Sequence, residues 1–551
     1  MTRNFTQKAL LVLVALTLSV AALAQDADAL ATQAMDAYYQ KDYGKSSQLF
    51  LAAIKAGNRD LDVLYNAACS LALAGKTEDA FAHLQQLAQR GYFNADHLKQ
   101  DTDLNSLHGD ARWQSLVQKV TANAQAQKQL WDNPALKTPY KENLSDEEKI
   151  AGLSKFWSEA KFNFVNFDLV PELNLDALYL EYLGKIRQTK STLEYYKLMI
   201  EFGAKLKDGH TGVNAPNELT DEMFARPRLQ TRLVENKVMI IAVPDEQLRA
   251  DGLAPGQEIL AIDGVPVKEY AAQKVTPYQS ASTKQDLETS VYEYALLRGS
   301  AQHPIELTLL DANGNSFKKT VRRLTLAERN KVGRPLPPME FKMLPGNIAH
   351  VMLNTFNDNR AAEMFEAAFD EIAKASALIL DVRNNGGGNS GVGYRVLACL
   401  TDKPFQTSKW HTRNYRPAFR AWQRPQDTFG SPAGQSQPNG KKLYTKPVLV
   451  LSSPRTYSAA EDFLVAFETM RRGLIVGEAS GGSTGQPLFF TLPGGGSARI
   501  CTKRDSFPDG REFVGVGIQP HKPVTPTIAD LRAGKDTVLD AALKELQTVL
   551  K

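Results

Sequence analysis

From Pro345 onward the chain switches repeatedly between two hydrophobic periods, and few folds accommodate that switching. Short apolar runs at Ile348 to Leu353, Leu378 to Val382, Val448 to Ser452 and Leu474 to Val476 read as strands. Between them, Ala361 to Ser376, Val392 to Thr401 and Ser458 to Arg471 repeat their apolar residues at helical spacing. Strands alternating with helices require crossover connections, which predicts a mostly parallel sheet with functional groups at the strand C-termini. Two such ends carry chemistry. Asp381-Val382-Arg383-Asn384-Asn385-Gly386-Gly387-Gly388 leaves a buried strand for a glycine turn, and Ser452 to Glu461 leaves the next strand for a helix with Ser458 at its mouth.

A serine at a helix mouth is often only a cap, and Glu461 three residues later completes a capping-box pattern. Glu461 is therefore read as structural. A nucleophilic role for Ser458 needs a base, and Asp208-Gly209-His210-Thr211, about 250 residues upstream, supplies one in a turn between a helix and a strand. Together they are two parts of a serine hydrolase.

The rest of the chain divides by composition. Arg3 and Lys8, an apolar run from Ala9 to Val20, and Ala22-Leu23-Ala24 read as a signal peptide over residues 1–24, implying a periplasmic or secreted product with no stable membrane span after cleavage. Residues 25–123 are alanine-rich with helical spacing. Asp42-Tyr43 through Ser47, Leu51 and Ile54 recurs about 33 positions later as Gly75-Lys76 through Ala80, Leu84 and Leu87. Residues 124–145, with Asn133-Pro134 and Thr138-Pro139, read as a linker. Residues 146–224 are helical again and deliver the chain to His210. Residues 225–325 form a β-rich domain: Leu229 to Val243 alternates like a strand pair, and Gly252-Leu253-Ala254-Pro255-Gly256 precedes a short strand and an Asp263-Gly264 hairpin turn. Residues 326–551 complete the α/β part.

The 65 basic and 61 acidic residues nearly balance, so nothing asks for nucleic acid or an anionic surface. Cys69, Cys399 and Cys501 stand far apart among apolar neighbours and read as core side chains rather than bridges. The eight histidines are scattered without metal-ligand spacing, so neither metal nor other cofactor is expected.

Taken in order, these motifs resemble those of the C-terminal processing (tail-specific) serine peptidases, in the histidine-base branch of the tricorn core and the interphotoreceptor retinoid-binding protein. The resemblance runs from Asp146 to Lys551 through Asp208 to Thr211, Asp381 to Gly388, Tyr457 to Glu461, Gly477-Glu478 and Gly515 to Pro520. Residues 225–325 resemble a PDZ domain, which implies capture of protein C-termini, and residues 25–123 resemble tetratricopeptide repeats, which implies a docking module for a protein partner. The implied fold is multidomain: a helical repeat-like region, a helical layer, a PDZ-like β domain and a C-terminal α/β peptidase core.

The resemblance further implies Ser458 as nucleophile, His210 as base, and the amides of Gly387 and Ala459 as oxyanion hole. The lysine of the other branch is missing from Gly477 to Gln486. For the group orienting His210 this chain departs from the tricorn pattern, with Gly209 where a serine precedes the histidine, Val514 where a glutamate is expected, and His521 in place of an aspartate. Glu512, two residues before Val514 and on the same face of a strand, is the substitute expected, with Asp509 behind it. The expected activity is endoproteolysis of protein or peptide segments; the alternative is a catalytically silent protein binding peptides or a hydrophobic ligand on the same scaffold.

Overall fold

The computed structural model describes residues 27–131, 134–332 and 336–550, so the signal-peptide reading lies outside the described residues. The chain divides into two compact units, Met1–Pro134 and Ala135–Lys551.

The first unit is helical throughout its ordered elements. Tyr43–Lys55, Leu61–Leu73, Thr77–Gln89, the short Ala95–Gln100 and Ala111–Trp131 follow one another. Gly57, Gly75 and Gly91 each have positive φ just past a helix end, the left-handed stop that glycine adopts without penalty. Tyr65, Phe81, Leu84, Leu104 and Leu107 fill its core, with Cys69 buried among them. The helix Ala111–Trp131 runs eight residues into the segment expected to be a linker. Ala124 to Leu130 is built of Ala, Gln, Lys and Leu, and their helix propensity outweighs a polar composition that resembled a linker.

In the second unit the core sheet comprises β1 (Met339–Leu344), β2 (Ile348–Leu353), β3 (Ala377–Asp381), β4 (Val448–Ser452), β5 (Gly473–Gly477) and β6 (Lys522–Pro523), in the spatial order β6-β5-β4-β3-β2-β1. All neighbours are parallel except the edge pair β1 and β2. Both faces are covered, as a parallel sheet requires. Leu378, Leu380, Val448 and Val450 point to one face, against Phe365 and Phe369 of α1 (Arg360–Ile372), Val396 of α2 (Ser390–Leu397) and Phe463 and Phe467 of α3 (Ala459–Met470). The alternate residues Ile379, Leu449 and Leu451 meet Val538, Ala542 and Leu546 of the C-terminal helix Thr537–Val549 on the other. Each such fully buried side chain contributes roughly 1.5–3 kcal/mol.

The helices Asp146–Asn163, Leu175–Ile186 and Thr192–Ala204 enclose Phe156, Tyr182, Tyr195, Tyr196 and Phe202, and share this core with Ala498, Ile500 and Cys501 of a late strand. That strand, Ser497–Cys501, pairs antiparallel with Gly212–Asn214, Gly212 opposite Arg499. The pairing clamps the segment carrying His210 onto the C-terminal half of the chain. The β-rich domain is a separate antiparallel sheet whose ends meet at an Arg226 to Leu324 bridge. Glu235-Asn236 and Asp263-Gly264 all have positive φ, the tight two-residue turns that match strand twist.

Candidate active site

Ser458 owes its position to two parallel neighbours. The loops leaving β3 and β4 are stitched together: the Thr456 hydroxyl donates to the Val382 carbonyl at 2.9 Å, the Ser453 hydroxyl to the Arg383 carbonyl at 2.7 Å, and the Tyr457 amide to the Asn385 carbonyl at 3.0 Å. The stitched loop delivers Ser458 to the start of α3 with φ 54° and ψ −126°. For a residue with a side chain this backbone costs about 1–3 kcal/mol, and such strain persists where the surroundings over-determine it. The turn resembles a nucleophile elbow, a sharp strand-to-helix bend that thrusts a hydroxyl outward.

The other loop must pass directly beneath. A Cβ at residue 387 would lie 2.7 Å from Ser458 Cβ and from the Tyr457 carbonyl oxygen, and Gly387 has φ 95°. Only glycine fits there. Of the two amides expected to form an oxyanion hole, that of Ala459 has no protein acceptor among the described residues, as the first N–H of α3 should not. The Gly387 amide is engaged, donating to Asn385 Oδ1 at 2.9 Å. Asn385 thereby closes a side-chain-to-backbone turn of the kind short polar residues favour.

His210 is held from several sides. Its own amide donates to Asp208 Oδ1 at 2.9 Å, the Thr211 hydroxyl accepts the Cys501 amide at 3.0 Å, and Arg499 donates to the Gly209 carbonyl at 2.8 Å. The imidazole lies parallel to the Tyr457 ring, centroids 5.5 Å apart and planes inclined by 14°. Its Nε2 is 3.1 Å from Ser458 Oγ, and its Nδ1 is 2.9 Å from Ser483 Oγ. Burial pulls its pKa down to about 3, assisted by the positive Arg499 and Lys503. The ring is therefore neutral across the physiological range, and a neutral imidazole bonded to a hydroxyl can take its proton.

Glu461 occupies the floor. Its carboxylate accepts the Ser458 amide (3.1 Å) and the Ser483 amide (2.9 Å) on one oxygen, and the Gly482 amide (2.7 Å) and Ser480 hydroxyl (2.6 Å) on the other. Burial pushes it up to about 8 against the pull of these donors. The expected capping role holds on the carboxylate side, and the same side chain also fixes the backbone of Ser483. Meanwhile the Ser458 hydroxyl faces His210.

Glu512 does not reach His210. It accepts from Arg504 Nε at 3.1 Å with its side chain 42% exposed, and Asp509 pairs with Arg511 at 2.9 Å. The strand on which the same-face argument rested is absent: Glu512 makes one isolated bridge to Ser506, and the Val516 and Gly517 amides then close a turn on the Phe513 carbonyl. Val514, where the family pattern places a glutamate, is core. His521 accepts the Ile475 amide at 3.0 Å and sits at the sheet. Ser483 lies inside Gly477 to Gln486, the stretch without a lysine, where its neighbourhood of glycines is the available signal.

Residues 347–524 match the model of peptidase family S41. The segment contains Ser458, Gly387 and Ser483, while His210 lies outside it. Curated relatives include a chloroplastic C-terminal processing peptidase of Tetradesmus obliquus, 24% identical over 53% of this chain and 57% of that protein. A carboxyl-terminal-processing protease of Picosynechococcus is 24% identical over 61% of this chain and 75% of its own length. The chain spans about half the length of the first curated relatives it matches, 57% and 49%. Among solved structures, mature CPAF complexed with lactacystin superposes with a TM-score of 0.59 at 15% identity, covering 74% of this chain and 99% of that one, a likeness of fold.

Proposed function

We propose that the protein is a serine endopeptidase acting on protein or peptide segments, with Ser458 as nucleophile and His210 as general base. The observation carrying this reading is the 3.1 Å contact between a buried, neutral imidazole and the hydroxyl of a serine on a strained strand-to-helix turn. On attack, the Ser458 proton passes to Nε2, Oγ bonds to the scissile carbonyl carbon, and the oxyanion develops against the Ala459 amide. The imidazolium then returns the proton to the leaving amine, and water repeats the cycle on the acyl-enzyme. The Gly387 amide joins the oxyanion hole in this scheme only by giving up Asn385.

Peptide substrates are favoured by the β-rich domain. Gln230–Val234 is an edge strand of its sheet, the place where a peptide can add a strand, and a cavity of about 770 Å³ runs beside it, lined by Gln230, Thr231 and Tyr294 and by Arg226, Arg228 and Arg455. Capture of a chain's C-terminal carboxylate by these arginines accords with the PDZ-like reading. A periplasmic or secreted location belongs to the same proposal and rests on the N-terminal sequence alone.

The test is labelling by a serine-reactive fluorophosphonate together with peptide hydrolysis. Ser458→Ala is expected to abolish both, lowering turnover by about 10⁶-fold as in other serine hydrolases, while the melting temperature stays close to wild type. Labelling and cleavage that survive the substitution overturn the assignment and leave the binding-protein alternative.

A further inference from the structure

A line of polar side chains begins at His210 Nδ1 and leaves the core. Ser483 Oγ lies 2.9 Å from Nδ1, the Ser483 side chain adjoins the Tyr457 hydroxyl and favours its ionised form, and that hydroxyl donates to Asp286 Oδ2 at 3.1 Å. Asp286 belongs to the β-rich domain, on the short helix Lys284–Thr289, where its carboxylate also accepts the Ser282 amide at 2.9 Å. All four side chains are buried or nearly so.

Resting on the Ser458–His210 reading, we propose that Asp286 is a positioning residue, the terminal acceptor of a Tyr457–Ser483 hydroxyl relay that fixes the proton of neutral His210 on Nδ1. The reason is directional. A hydroxyl in a closed line has one proton to give, so the end of the line decides the sense of every link. An ionised carboxylate only accepts: Tyr457 gives its proton's hydrogen bond to Asp286, Ser483 gives to Tyr457, and Nδ1–H gives to Ser483. Nε2 is left with its lone pair facing Ser458, the tautomer that a general base needs. Reversing the line, with a protonated Asp286 donating to Tyr457, puts the His210 proton on Nε2 and aims it at the nucleophile. No proton travels along the relay during turnover; the Ser458 proton still passes to Nε2 and on to the leaving group.

The groups facing Asp286 set when this happens. Burial, with a smaller push from the nearby Asp208, outweighs the Ser282 amide and Tyr457 hydroxyl and leaves its carboxyl raised to about 7. Tyr294 also lies within its electrostatic reach. His210 itself is neutral from about pH 3 upward, so it does not supply a limb near neutrality. The active form carries ionised Asp286, and turnover therefore rises with pH through about 7. Its carboxyl is thereby a link by which the β-rich domain reaches the base.

The test compares the full-length protein with Tyr457→Phe, Asp286→Asn and Ser458→Ala, measuring kcat and KM from about pH 5 to about pH 9 and the ¹⁵N shifts of the His210 ring. Tyr457→Phe keeps the ring stacked on His210 and removes one oxygen, so it separates the relay from packing. Wild type is expected to carry its ring proton on Nδ1 at alkaline pH. Both relay variants should lose about 10- to 100-fold in kcat, the usual cost of an outer-shell orienting group, with KM little changed. The limb near 7 should vanish in both, since Asn does not titrate and Tyr457→Phe cuts the titrating Asp286 off from the ring. Unchanged kcat, limb and ring shifts in Tyr457→Phe overturn the relay even if Ser458→Ala is inactive. Activity that survives Ser458→Ala overturns the peptidase reading instead, while the ring shifts still decide whether the relay fixes the tautomer.

Discussion

The two halves of the site are held in place by different kinds of structure. Ser458 follows a buried parallel strand, and the loop that carries it is fixed mainly by the adjoining strand exit, through the carbonyls of Val382, Arg383 and Asn385 and the space left by Gly387, with its own amide held by Glu461 and the Ser483 carbonyl. His210 has no such shelf. It hangs on a turn after the helix Thr192–Ala204 and is located by groups from distant parts of the chain: Arg499 and Cys501 on a late strand, Ser483 on the loop after β5, and Tyr457. The proposed nucleophile is set largely by backbone that the core sheet orders. The proposed base is set by side chains that meet only when the helical layer, the β-rich domain and the core are all assembled.

A first way to break this contrast is to fill the gap beneath Ser458. In Gly387→Ala the added methyl meets Ser458 Cβ and the Tyr457 carbonyl at 2.7 Å and the Ala459 nitrogen at 2.9 Å, in a backbone with φ 95°. Backbone cannot step aside as a flexible side chain does. Activity should fall by about 10³-fold, the scale of losing an oxyanion donor. Stability should drop by about 1–3 kcal/mol, read by denaturant midpoints. Near wild-type turnover with an unchanged midpoint would mean that the strand exits are softer than the stitched loops imply.

The second test acts on the base. A methyl on residue 209 would start 1.5 Å from the Tyr457 hydroxyl oxygen and 3.2 Å from Asp286 Oδ2. Gly209→Ala should displace the ring or the turn by enough to cost roughly 10²-fold in kcat, since a 1 Å misplacement is worth that much. Adding Tyr457→Phe removes the atom in closest contact, so the two substitutions should be strongly non-additive in a double-mutant cycle. Independent, additive effects would show that the hydroxyl is not what demands glycine at this position.

That contact also explains how much of the site was legible in the sequence. In the tricorn-like pattern a serine precedes the histidine, and Gly209 looked like a missing part. The Tyr457 hydroxyl now stands where a side chain on residue 209 would begin, so the glycine makes room for a hydroxyl brought from elsewhere. The α/β core was readable because its strands are continuous apolar runs in the period of the pleat, and Ser458, Ala459 and Gly387 were readable because they sit inside contiguous motifs at strand ends. The edge strand Met339–Leu344, with its exposed Met343 and polar Glu340 and Lys342, carries no such run and passed unnoticed. Asp286 had no signal at all: it lies in a polar stretch, 171 residues from the tyrosine that gives it a role.

Glu512 makes the complementary case, because spacing alone suggested it and the fold does not deliver it. A period-2 argument holds only while the chain stays extended, and Gly515 and Gly517, with φ 80° and 88°, bend it into a turn instead. The carboxylate shares Arg504 with Asp168, which is 2.7 Å from the guanidinium, so removing one acidic partner leaves the other. Half-exposed pairs of this kind contribute about 0–1 kcal/mol. Glu512→Gln should accordingly change kcat/KM by less than about 2-fold and lower the unfolding free energy by no more than about 1 kcal/mol, the smallest effect of the three. A fall of about 10²-fold or more in kcat, with KM preserved, would restore this carboxylate to the neighbourhood of His210 and would argue that the turn at Phe513 to Gly517 opens during turnover.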